Sequence, residues 1–156
     1  MQNIGISRYE KLETILSWKN ICSSNNIRIY ENKFSNLVTK SVIESKWFHD
    51  AKNYIAKESK NKTFYLLTST PKKEIDNILK EINFSNHFYE VYGWPSKKKF
   101  VLEEIIKKKN YPKDQCLMIG DSKTDEAAST KNKISFLLHR TNENFKDFYN
   151  YDGYYY

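Results

Sequence analysis

The sequence predicts an α/β protein: a parallel sheet of about four strands with flanking helices, preceded by an all-helical N-terminal segment. Two observations carry this reading. Four short, apolar, β-prone runs lie near residues 63–68, 88–92, 115–119 and 134–139. Stretches of helical spacing separate them, and that alternation is what right-handed βαβ units on a parallel sheet produce. Residues 1–58, by contrast, show helical spacing and no strand pattern.

Taken in order, Tyr9, Leu12, Ile15, Leu16 and Ile21 recur at helical intervals, with Ser7 as the expected N-cap and Glu10 completing a capping box. Asn25-Asn26 is expected to break this stretch. A second helix carries Phe34, Leu37, Val38, Val42 and Ile43, and a third, shorter one includes Ala51, Tyr54 and Ile55. Phe64, Tyr65, Leu66 and Leu67 form a continuous apolar run, long enough for a buried strand. Thr70 is expected to cap the next helix, with Pro71 in its first turn and Glu74 near the positive end of its dipole, running to about Asn83. Phe88–Tyr92 reads as a second strand closed by Gly93-Trp94-Pro95, and residues 97–109 as a helix with Val101, Leu102, Ile105 and Ile106 on one face. A third strand at Gln115–Ile119, a helix at Asp125–Lys131 and a fourth strand at Ile134–His139 complete the pattern. Residues 141–156 form a polar, aromatic tail ending Tyr154-Tyr155-Tyr156.

The 156 residues fit one domain, or one with a small appendage. Twelve Tyr and nine Phe supply the bulky apolar surface that a disordered chain lacks. No apolar run approaches the roughly 20 residues needed to span a bilayer. Met1 is followed by polar residues rather than a basic and then apolar leader, so the expectation is a soluble, cytoplasmic protein. Cys22 and Cys116 stand too far apart, and too far from His, to suggest a disulfide framework or a zinc site; Cys116 reads as a small core residue. The net charge of +7 is spread along the chain in lysines mixed with Asn, Asp and Glu, with no arginine-rich segment. That distribution argues against nucleic acid as the partner.

In a parallel sheet, ligands bind beyond the carboxyl ends of the strands. The first strand ends in Thr68-Ser69-Thr70 just before a helix, where hydroxyls and free N–H groups suit an anion such as phosphate. The third ends in Gly120-Asp121-Ser122-Lys123-Thr124-Asp125, with two carboxylates four residues apart at a turn that Gly120 permits. Paired carboxylates beside a phosphate site are what Mg²⁺ needs. Lys97-Lys98-Lys99 opens the helix after the second strand, within reach of the same end as a phosphate-binding charge. Alone, these read as a helix cap, a turn and a solvated face. Together, each at the end of a successive strand, they read as a site.

The stretch Phe64–Arg140 resembles the second half of the core domain of haloacid dehalogenase (HAD) superfamily hydrolases of the phosphoglycolate-phosphatase-like kind. The words are Phe-Tyr-Leu-Leu-Thr-Ser-Thr-Pro at 64–71, Tyr-Gly-Trp-Pro-Ser-Lys-Lys-Lys at 92–99, and Leu-Met-Ile-Gly-Asp-Ser-Lys-Thr-Asp-Glu-Ala-Ala at 117–128. They resemble that family's second, third and fourth motifs, in order. The resemblance implies a HAD-like, Rossmannoid core at 59–140, a helical cap remnant at 1–58 and the tail at 141–156. It also implies a Mg²⁺-dependent phosphatase of small phosphorylated metabolites. Thr68, with Ser69, falls on the phosphate-binding hydroxyl position. Lys98 falls on the lysine that neutralises nucleophile and phosphate, with Lys97 and Lys99 as one-residue alternatives. Asp121 and Asp125 fall on the magnesium acids, Asp125 supporting the metal or orienting Lys98. Residues 5–11 look like part of the cap.

One motif of the family has no counterpart. The nucleophile belongs to an Asp-x-Asp motif ending the first strand, and the chain contains no Asp-x-Asp. The resemblance enters within the cap at Met1, which implies an N-terminally truncated member without its first, central strand. Without the nucleophile, no aspartyl-phosphate forms. The magnesium site is then expected to be weak, and two sheet edges to stand open unless a separate chain or a second copy fills the gap. Two functions follow: a phosphatase part inactive as this isolated chain, or a non-catalytic phosphate-binding or regulatory HAD-like remnant or subunit. The sequence leaves substrate identity open.

Overall fold

The computed structural model describes residues 8–156. Ser7, and the capping box expected of it, lie outside the described residues, as do residues 5–7 of the cap-like stretch. The chain divides into two compact units, residues 1–95 and 96–156. The first holds α1 (Arg8–Trp18), α2 (Ser24–Glu44), α3 (His49–Glu58), β1 (Tyr65–Pro71), α4 (Lys72–Glu81) and β2 (Glu90–Trp94). The second holds α5 (Lys98–Lys109), β3 (Leu117–Gly120), α6 (Lys123–Asn132) and β4 (Ser135–Leu138). Among the described residues, no helix is long and apolar enough to cross a membrane.

The fold is α/β with parallel strands and flanking helices. β1 pairs with β2, from Tyr65 opposite Glu90 to Leu67 opposite Tyr92, and β3 pairs with β4, from Leu117 opposite Ser135 to Gly120 opposite Leu138. Each pair is its own two-stranded sheet, rather than part of a four-stranded ladder. Residues 141–156 are not loose: Tyr155 bridges Leu138 in parallel, with Leu138 N–H donating to the Tyr154 carbonyl and Tyr156 N–H to that of Leu138.

Several local expectations shift for identifiable reasons. Asn25-Asn26 does not break a helix; both lie in the first turn of α2. The break comes earlier, at Asn20 in the left-handed region (φ 56°), and Ser23 caps α2 by accepting from the Asn26 N–H. The Asn26 side chain turns back to donate to the Ile21 carbonyl at 2.8 Å, so a residue read as a breaker works as a clasp. Thr70 does not cap α4 either. β1 continues through it to Pro71, which stands at the N-cap without a side-chain hydrogen bond. Cys116 is only half-buried and precedes β3; its Sγ donates to the Pro112 carbonyl, and burial and Asp114 push its thiol up.

Burial separates the elements. α1 contributes the buried Leu16, while α2 and α3 contain no buried residue. Much of the apolar surface of these three helices stays accessible, with Trp18 of α1 59% and Leu37 of α2 67% exposed. α4 buries Ile78 and Leu79, two residues of its apolar face, and α5 buries Val101, Leu102, Ile105 and Ile106 as one stripe. α6 presents Ala128, fully buried, and Asn132, whose Nδ2 donates to the carbonyls of Lys99 and Ala128. A small residue lets the helices approach, and the bridging amide fixes the start of α5 against the end of α6.

Candidate functional site

In the second unit, β3 stops at Gly120, and α6 starts behind Ser122, which closes a capping box with Asp125. Gly120 is required by proximity: a Cβ there would lie 2.5 Å from the Asp125 side chain. Asp125 is 2% exposed and fully engaged. Its Oδ2 accepts from the Ser122 hydroxyl at 2.6 Å and from the Ser122 N–H at 3.3 Å. Its Oδ1 accepts from Lys98 Nζ at 2.6 Å. A buried carboxylate is tolerated when paired and hydrogen-bonded, and here both conditions are met.

The geometry separates the three lysines of the triplet. Lys97 and Lys99 are exposed, whereas the Lys98 side chain is 17% exposed and holds the ion pair. Lys98 is the first residue of α5, which brings its ammonium to the end of β3.

Asp121 is exposed, and its position is set through its backbone. Asn144 Nδ2 donates to the Asp121 carbonyl at 2.9 Å and to the His139 carbonyl at 2.8 Å, while its Oδ1 accepts from the Thr141 N–H at 2.8 Å. Asn144 is buried. The tail therefore pins the loop that carries Asp121. Tyr156 stacks on His139 at 4.9 Å, and partial burial together with the charge of Asp121 pushes its phenol up. Sequence reasoning missed Ser122 and Asn144. The spacing Ser122-x-x-Asp125 is a capping-box signature and was available; nothing local marks Asn144.

Thr68 and Ser69 lie in the first unit, at the end of β1. The β1–β2 register is regular to Leu67, shifts, and resumes at Pro71 opposite Trp94. Thr68, Ser69 and Thr70 thus form a crook without ladder partners. Thr68 Oγ1 accepts from the Thr70 N–H and donates to Thr70 Oγ1, both at 3.2 Å, and Ser69 is exposed. Gly93 of β2 is needed here, because a Cβ would lie 2.6 Å from the Thr70 carbonyl and from Lys72 Cα.

Among the described residues, no group of three His, Cys, Asp or Glu side chains is placed to hold a metal ion. The donor chemistry at the end of β3 fits Mg²⁺ in kind: Asp121 offers a hard, accessible carboxylate, while Asp125 is already occupied by Lys98 and Ser122. One carboxylate supplemented by water and phosphate oxygens is a mode in which that ion binds weakly.

Parallel strands under flanking helices, with polar turns at the strand ends, define a Rossmann-like α/β protein. The chain belongs to the haloacid dehalogenase-like hydrolases, whose family model matches residues 4–139. No curated protein matches the sequence. Among solved structures, it is similar to a protein from Clostridium difficile described as a candidate phosphatase, at 20% identity and a TM-score of 0.70, covering 94% of this chain and 72% of that one. It is also similar to a haloacid dehalogenase-like family hydrolase from Streptococcus pneumoniae, at 19% identity, TM-score 0.65 and coverage of 92% and 70%. A candidate phosphoglycolate phosphatase from Lactobacillus delbrueckii subsp. bulgaricus follows at 14% identity, TM-score 0.64 and coverage of 88% and 61%. Such identities speak to the fold.

Proposed function

We propose that this chain is a phosphate-handling member of its family, built for Mg²⁺-dependent chemistry on small phosphorylated metabolites, and that the 156-residue polypeptide does not by itself complete hydrolysis. The observation that carries the reading is the Lys98–Asp125 pair, a 2.6 Å contact with the acid 3% exposed, beside the accessible Asp121. A charge held in place at a strand end is pre-organised for a phosphoryl group. The phosphatase descriptions of the structural neighbours support the same direction.

In this reading, Lys98 neutralises phosphoryl oxygens, and the hydroxyl of Thr68 and the exposed Ser69 supply hydrogen bonds to an anion. Asp121 is the Mg²⁺ ligand, and Asp125 acts through its neighbours by orienting Lys98 and fixing the loop. Bound Mg²⁺ would supply charge neutralisation at the phosphate. Covalent hydrolysis needs a carboxylate nucleophile, and these residues hold no Asp-x-Asp to provide it. The second reading, a non-catalytic phosphate-binding or regulatory module, is favoured by the full engagement of Asp125, which leaves that acid unable to attack.

Hydrolysis of a generic phosphate ester by the purified chain with Mg²⁺ tests the proposal, with Asp121→Asn as control. No turnover in either protein is the expected result. Turnover in the unmodified chain that Asp121→Asn abolishes would reveal a nucleophile within these residues, with Asp125 the first to examine, and would overturn the proposal.

A further inference from the structure

The second unit holds a cation that the reading above does not use. Gly120 is the last residue of β3, opposite Leu138, and the His139 N–H donates to the Gly120 carbonyl at 2.8 Å. Arg140 therefore stands two residues past Leu138, the last paired residue of β4, at the same end as Asp121. Its guanidinium lies 4.8 Å from the ring centre of Phe145 and 4.8 Å from that of Tyr155. Its own N–H donates to the Tyr156 carbonyl at 3.2 Å, which fixes the backbone beneath the side chain. Among the described residues, no carboxylate pairs with it, and its Nε is buried without a hydrogen-bond partner.

An arginine used only as packing keeps its donors in water or gives them to backbone carbonyls. This one has a buried donor aimed at nothing in the chain, while aromatic contacts restrain its plane. A guanidinium held against rings keeps its terminal N–H groups available in plane, and their fork matches the two oxygens of a carboxylate or phosphate. The chain's surplus charge of +7 adds long-range attraction for an anion.

We propose that Arg140, flanked by Phe145 and Tyr155 at the carboxyl end of β4, is an oxyanion-binding residue that takes a phosphate or carboxylate group of a ligand. The proposal uses neither Lys98 nor Thr68, so it does not depend on the reading above. It selects for a ligand with an oxyanion at this strand end and exists whether or not the chain turns anything over.

The test uses the full chain labelled with ¹⁵N. It contains three arginines, Arg8, Arg28 and Arg140, so the Nε–H region is sparse, and Arg140→Lys assigns its signal by deletion. Inorganic phosphate, acetate and chloride are titrated separately at matched ionic strength. The expected result is a saturable downfield movement of the Arg140 Nε–H with phosphate or acetate, absent with chloride and absent at Arg8 and Arg28. Which anion acts tells whether phosphate or carboxylate is the natural group. The movement should persist in Thr68→Val, which separates this site from the other phosphate position. An Arg140 signal that stays put with every anion, or that follows chloride equally, overturns the proposal.

Discussion

The crook at the end of β1 and the knot at the end of β3 occupy equivalent positions, each at the carboxyl end of a parallel strand ahead of a helix, yet they are built differently. At the end of β1 the groups are neutral hydroxyls, and Thr68 is held by two long bonds to its neighbour Thr70. At the end of β3 a buried carboxylate is met by Ser122 and by Lys98 from another helix. The difference follows from desolvation. A hydroxyl at a half-buried site loses little when left to local partners, whereas a buried charge must be paired or the fold suffers. One strand end can therefore change function without changing stability, while at the other the two are tied together.

The largest effect comes from breaking the knot. Lys98→Met leaves Asp125 buried and unpaired and should cost about 3–5 kcal/mol, read as a lowered urea midpoint for residues 96–156. Ser122→Ala removes the capping hydroxyl and should cost about 1 kcal/mol in the same measurement. Thr68→Val keeps the shape of the β1 crook and loses the hydroxyl. Stability should then change by less than about 1 kcal/mol, while phosphate affinity falls in calorimetry. A Thr68→Val cost as large as that of Lys98→Met would erase the contrast. The smallest effect concerns the phenols of Tyr151 and Tyr156, both raised by burial and then by carboxylates, Glu126 and Asp152 for the first and Asp121 for the second. Their folded form favours the neutral phenol, so the stability they contribute is complete below the ordinary tyrosine value of about 10. It is lost as pH rises through the raised values. Thermal melts at alkaline pH should show the tail loosening there, and in Asp121→Asn, Tyr156 should ionise at lower pH.

The sequence was most readable where periodicity and burial coincide. Val101, Leu102, Ile105 and Ile106 repeat at helical spacing and are buried together on α5. It was least readable where one side chain decides between two backbone roles. Asn25 and Asn26 have the composition of a breaker, but a cap at Ser23 and the Asn26 clasp draw them into α2. Thr70-Pro71 has the composition of a helix start, but pairing of Pro71 with Trp94 extends β1. Of the site, the residue types at the strand ends were legible as motifs, and so was a lysine among Lys97, Lys98 and Lys99. The family resemblance pointed to Lys98 with its two neighbours as alternatives, and what separates it from them is the distance to Asp125, which lies 27 residues away in sequence and carries no local signal. Asn144 and Arg140 sit in or beside a tail whose composition suggests nothing, and it is the Asn144 hydrogen bonds and the pairing of Tyr155 with Leu138 that hold that tail to the Asp121 loop and to β4.

Calorimetric titration of the full chain with inorganic phosphate, with and without Mg²⁺ and in parallel on Asp121→Asn, addresses the central claim most directly. The account predicts saturable phosphate binding that Mg²⁺ strengthens, with the Mg²⁺-dependent part lost in Asp121→Asn. Phosphate binding that is absent, or that is indifferent to both Mg²⁺ and Asp121, would contradict it.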